Sequence, residues 1–62
     1  MKELLSRLGI HFSIHKLKEK GRELFGFDSF SESEKARAEL ESNGYFLVMS
    51  YKQNDIFYDM YQ

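Results

Sequence analysis

From Lys2 to Leu8 the apolar positions Leu4, Leu5 and Leu8 fall at i, i+1 and i+4, the spacing of a short amphipathic helix closed by Gly9. Two turns are too few for an isolated helix, so this segment has to pack on something else. At Ile10 the period changes. Ile10, Phe12 and Ile14 alternate with His11, Ser13 and His15, the two-residue repeat of a half-buried strand. Lys20-Gly21 then predicts a tight turn. A two-residue loop there pairs Lys18 with Glu23, Leu17 with Leu24, Lys16 with Phe25 and Ile14 with Phe27. That register sets Phe12, Ile14, Phe25 and Phe27 on one face and makes Lys18 and Glu23 an ion pair.

The next segment carries the strongest local signals. Ser31 and Glu34 have the spacing of a capping box, and Ser29 and Glu32 offer the same box two residues earlier. Glu34 with Arg37, Lys35 with Glu39 and Arg37 with Glu41 are helical neighbours of opposite charge. Asn43-Gly44 ends the helix, with Gly44 at the left-handed position and Tyr45 returning toward Leu40. The apolar stripe of helix 31–43 is thin, Ala36 and Leu40, so the helix must lie close and flat on a sheet.

From Tyr45 to Lys52 a strand is predicted with apolar residues on both faces: Tyr45, Leu47, Met49 and Tyr51 on one, Phe46 and Val48 on the other. Such a strand is central in a sheet or lies in an interface. Gln53, Asn54 and Asp55 form the turn, and Ile56 to Tyr61 returns. The pattern is that of a small α+β fold, one domain over residues 1–62, in the order α-β-β-α-β-β. Two hairpins form an antiparallel sheet, the main helix packs on one face, and the N-terminal helix sits at an edge or across the other.

Composition adds a constraint on stability. The chain has 62 residues, 42% hydrophobic and 31% charged, with net charge -1, six Phe and four Tyr, which is the make-up of a folded protein. Apolar burial on folding and the entropy of ordering the chain both come to about 90 kcal/mol for this size. With no Cys, neither a disulfide nor a thiolate-zinc site is open to it. Self-association or a protein partner becomes the leading source of extra stability. No apolar run approaches the ~18 residues of a membrane span, and the start at Met1 does not resemble a signal peptide. The chain reads as a complete, cytoplasmic gene product.

Candidate chemistry is sparse. His11 and His15 would chelate a metal on a helix, but on a strand the same spacing holds them about 13 Å apart. Ser13 between them lacks the glycines of a nucleophile elbow. The glycines at 9, 21, 26 and 44 stand alone, so no phosphate-binding loop is present. A chain this short could hardly enclose a pocket of about 300 Å³ and keep a core. The expectation is no enzyme, no catalytic residue, no metal, no cofactor and no small-molecule substrate.

Two surfaces remain. Residues 1–22 hold six basic and two acidic residues, and residues 23–62 hold three basic and eight acidic residues. Lys16, Lys18, Lys20 and Arg22 surround the first turn, the arrangement of a basic ribbon that follows a phosphate backbone. Glu19 and Glu23 interrupt it, and a solvated edge strand explains the lysines as well. All four tyrosines fall in the last 18 residues. Tyr45, Tyr51, Phe57, Tyr58 and Tyr61 are the expected protein-binding residues, because tyrosine combines large rigid area with a hydroxyl. The sequence thus predicts a protein-binding module, a homodimer or a small regulator or inhibitor docking on a larger protein. Small chains of this kind include those of bacteria and their phages. Nucleic-acid binding through the first hairpin is the alternative.

Overall fold

A computed structural model describes residues 1–15, 17 and 21–62. The elements run α1 (Lys2–Arg7), β1 (Ser13–His15), β2 (Glu23–Phe27), α2 (Phe30–Ser42), β3 (Leu47–Gln53) and β4 (Ile56–Tyr61). The strands form one antiparallel sheet in the order β1-β2-β4-β3, which makes β2 and β4 central and β1 and β3 the edges. Order and fold class are those the sequence predicts. Of the two places expected for the strand after the main helix, central in the sheet or in an interface, the first does not hold: β3 is an edge.

Both helices cover the same face. Leu5 of α1 and Ala36 and Leu40 of α2 join Ile10, Phe25, Phe27 and Tyr61 in one buried cluster. The molecule is therefore a two-layer slab, 26 × 25 × 15 Å. The physical reason lies in α2. Its sheet-facing residues, Ser33, Ala36 and Leu40, are small or few, and they cannot cover a four-stranded face alone. Leu5 extends the cover, and Leu4 and Met1 pack around it. Leu8 is exposed, contrary to its place in the predicted stripe. The Gly9 and Ile10 amides bond to the Ser6 and Leu5 carbonyls at 3.1 and 3.2 Å, which turns Ile10 into the core instead.

α2 starts at the earlier of the two boxes. Ser29 is the N-cap, and its hydroxyl accepts the Glu32 amide at 3.2 Å. At the other end the Tyr45 amide reaches the Leu40 carbonyl at 3.0 Å and the Gly44 amide the Glu41 carbonyl at 3.1 Å, the paired bonds of a Schellman ending. Gly44 has φ +88° and open space around its α-carbon. Gly44→Ala is therefore expected to cost about 1 kcal/mol from backbone strain alone, read as a lower urea midpoint at unchanged slope. An unchanged midpoint would mean the helix ends by another geometry.

The first hairpin departs from the predicted register. Ile14 lies opposite Phe25, not Phe27, and His15 lies opposite Leu24. Because the shift is two residues, Ile14 keeps the face of Phe25 and Phe27, and Phe12 packs edge-on against Phe25 at 5.5 Å. β1 is also shorter than the alternation from Ile10 implied. The expected Lys20-Gly21 turn and the Lys18–Glu23 pair involve residues outside the described set. In the second hairpin Asn54 and Asp55 both have positive φ, 51° and 62°, and Gln53 lies opposite Ile56. This is a two-residue turn of the type that matches strand twist.

Candidate functional site

The sheet has two unlike faces, and β4 shows how they arise. Phe57, Asp59 and Tyr61 point toward the helices, while Ile56, Tyr58 and Met60 point away, following the two-residue period of a strand. On β3 a bulge between Leu47 and Met49 breaks that period. Leu47 lies opposite Tyr61 on the helix side, and Met49 lies opposite Met60 on the other. The predicted shared face of Leu47, Met49 and Tyr51 is therefore corrected. The inserted residue switches faces midway along the strand.

On the covered face a carboxylate is buried. Asp59 is fully inaccessible. The Ser33 hydroxyl donates to its Oδ2 at 2.8 Å, the Ser50 hydroxyl donates to its Oδ1 at 2.5 Å, and Arg37 Nη2 lies 3.8 Å from Oδ1. Ser33 and Arg37 are four apart on α2, so one helix face delivers both groups over β4. Tyr61, two residues along β4, is also fully buried, and its hydroxyl has no hydrogen-bond partner among the described residues. Burial, aided by the Asp59 carboxylate and opposed by the Arg37 guanidinium, pushes the Tyr61 hydroxyl up from 10.0 to about 12.

A pH dependence follows. The folded state holds the Tyr61 proton that the unfolded chain releases near its ordinary value of 10.0. This contribution to stability is whole below that value and is lost as pH rises through the folded value of about 12. Urea midpoints are expected to fall across that interval in the wild type and to fall less in Tyr61→Phe. Equal falls in the two proteins would show that Tyr61 does not couple to folding.

The opposite face has no helix on it among the described residues. Its side chains form two rows across the strands. Ser13, Gly26, Tyr58 and Tyr51 make one row, and His15, Leu24, Met60 and Met49 the other. Ile56 and Gln53 extend it at the turn end. Tyr51 and Tyr58 stack with centroids 5.1 Å apart, and His15 meets Tyr58 edge-on at 5.3 Å. Gly26 is what lets this surface close up. A β-carbon there would stand 2.6 Å from Ser13 Oγ, 3.1 Å from Ile56 and 3.3 Å from the Tyr58 ring. None of these ten positions is Lys, Arg, Asp or Glu, in a chain that is 31% charged.

The predicted protein-binding residues are not brought together. Tyr51 and Tyr58 share the helix-free face. Tyr61 is in the core, Tyr45 packs against it, and Phe57 lies on the helix side between the Phe30 ring at 5.8 Å and the Lys52 ammonium at 5.0 Å. Leu24, Met49, Met60 and His15 belong to the face that the tyrosine count missed. The signal that finds them is alternation, once the turn at Asn54 and Asp55 is known to have two residues. Of the alternative nucleic-acid set, Lys16, Lys18 and Lys20 lie outside the described residues, and Arg22 is half-buried.

Ser13 Oγ and His15 Nε2 are 3.0 Å apart, within proton-transfer reach, but on an exposed strand where no carboxylate among the described face residues orients the imidazole. The described residues gather no group of three or more His, Cys, Asp or Glu side chains able to hold a metal. A depression of about 410 Å³ is lined by Glu41, Gly44, Tyr45, Phe46 and Leu47, larger than the length led one to expect, but it is open to solvent. No described helix is long and apolar enough to cross a membrane. Comparison with protein families, with curated proteins and with solved structures finds no match.

Proposed function

We propose that this chain is a non-enzymatic protein-binding module whose contact surface is the helix-free face of its sheet. The observation that carries the reading is the character of that face. It is aromatic and thioether-rich, it is open, and it contains no charged side chain among the ten strand positions named above. Interface cores are depleted in charge and enriched in Tyr and Met, whereas a face meant only for water would carry lysines and glutamates. A role as a small cytoplasmic regulator or inhibitor, of the kind bacteria and phages encode, belongs to the same proposal.

The test is affinity capture from the native host with three baits. Wild type is expected to retain a protein that Tyr58→Glu loses, while Glu34→Lys, on the exposed side of α2, keeps it. Near-ultraviolet circular dichroism establishes that both variants are folded. Equal capture by all three baits would move the surface elsewhere. Salt-sensitive retention of duplex DNA, unaffected by Tyr58→Glu, would transfer the function to the basic first hairpin.

A further inference from the structure

We infer that the occupant of the helix-free face is the same face of a second copy of this chain, packed sheet on sheet in an isologous dimer. This rests on the contact-surface reading above and goes beyond it by naming the partner.

Three features support a copy over a different protein. The first is charge. A partner presenting Lys, Arg, Asp or Glu to the centre of this face would bury that charge without an opposite one among the ten strand positions, the nearest carboxylate, Asp28, lying at the rim beside Ser13 and Gly26. A second copy brings an equally uncharged surface, and the polar atoms it does bring, the hydroxyls of Tyr51, Tyr58 and Ser13 and the amide of Gln53, can donate and accept across a twofold axis. Net charge is -1, so two copies repel little at long range.

The second feature is shape. Sheets pack face to face when their twists agree, at about 30° between strand directions, and two copies of one sheet have identical twist. An isologous arrangement also closes after two copies, so it gives a dimer and not a fibre. The bulge between Leu47 and Met49 favours this stacking over edge-to-edge growth, because it disrupts the regular ladder on the outer strand β3.

The third is area. Four strands at about 4.8 Å spacing and about six residues at 3.3 Å give a face of about 20 by 20 Å. Covering one such face with another removes about 800 Å² in total, below the about 1,000 Å² of a specific stable interface and in the range of weak, transient contacts. The dimer is accordingly a weak one.

Sedimentation equilibrium of the full chain across the micromolar to millimolar range, for wild type, Tyr58→Glu, Met60→Glu and the α2 control Glu34→Lys, tests the inference. Wild type and Glu34→Lys are expected to show a monomer–dimer equilibrium, and each face variant to weaken it about thirtyfold or more. Since a charge at one position could disturb folding, Tyr51→Ser, at the exposed edge, is measured alongside and is expected to weaken the dimer while keeping the wild-type dichroism. A wild type that stays monomeric at millimolar concentration overturns the dimer. If Tyr58→Glu still loses a captured host protein, the contact surface stands and only its occupant was misassigned. A dimer indifferent to all three face variants overturns both the dimer geometry and the surface.

Discussion

Asp59→Ala is expected to leave most of the protein unfolded in water at room temperature. Two hydroxyls, from Ser33 and Ser50, donate to this carboxylate, and hydrogen bonds to a charged group contribute about 1.5–3 kcal/mol each. Their loss strands the buried Ser33 hydroxyl and removes the anion beside Arg37, for a total of about 3–5 kcal/mol. A single core of this size rarely supplies more than about 3–5 kcal/mol in all. Asp59→Asn keeps the volume and one acceptor oxygen, so it should lose less. Urea titrations with sucrose added, to secure a folded baseline, give the order wild type, Asp59→Asn, Asp59→Ala. If Asp59→Ala unfolds with the wild type, the buried carboxylate is not what joins α2 to the sheet.

Phe25→Ala carries the second large effect. Phe25 is fully buried at the centre of β2, with Phe12 at 5.5 Å, Tyr61 at 6.1 Å and Phe27 at 6.3 Å between ring centroids. Removing a ring from such a site costs about 3–5 kcal/mol, transfer and cavity together. Phe25→Leu fills part of the space and should cost less than half as much. The same titrations decide it: a loss under about 1 kcal/mol for Phe25→Ala would mean that the core collapses around the gap, and that the aromatic cluster is not rigidly packed.

The architecture was legible wherever a local rule sufficed. The ending of α2 at Asn43-Gly44, and the change from helical to alternating period after Gly9, are written in single residues. The register of the first hairpin was not. A two-residue slip preserves every side chain's face, so the apolar pattern of Phe12, Ile14, Phe25 and Phe27 fits both registers equally. The bulge on β3 escaped for a related reason. Phe46, Leu47, Val48 and Met49 are all apolar, and a run without polar markers does not show where the alternation changes phase. Nothing in the sequence singles out Asp59. Its partners Ser33 and Ser50 are 26 and 9 positions away, and only the fold brings them together. The proposed contact surface was half legible: Tyr51 and Tyr58 were marked by type, while Tyr61 was drawn into the core by the same alternation that turns Met60 to the helix-free face.

The proposed division of the sheet into a closed face and a contact face is tested most directly by dilution of isotopically labelled protein in the nuclear magnetic resonance spectrometer. As concentration falls from millimolar to micromolar, the signals of Leu24, Met49, Met60, Ile56, Tyr51 and Tyr58 are expected to shift together along one binding curve. Those of Leu5, Ala36, Leu40 and Phe27, on the helix side, should hold still. Shifts confined to α2 or to the first hairpin, or a spectrum unchanged over the whole range, would contradict the assignment of the helix-free face as a self-pairing surface.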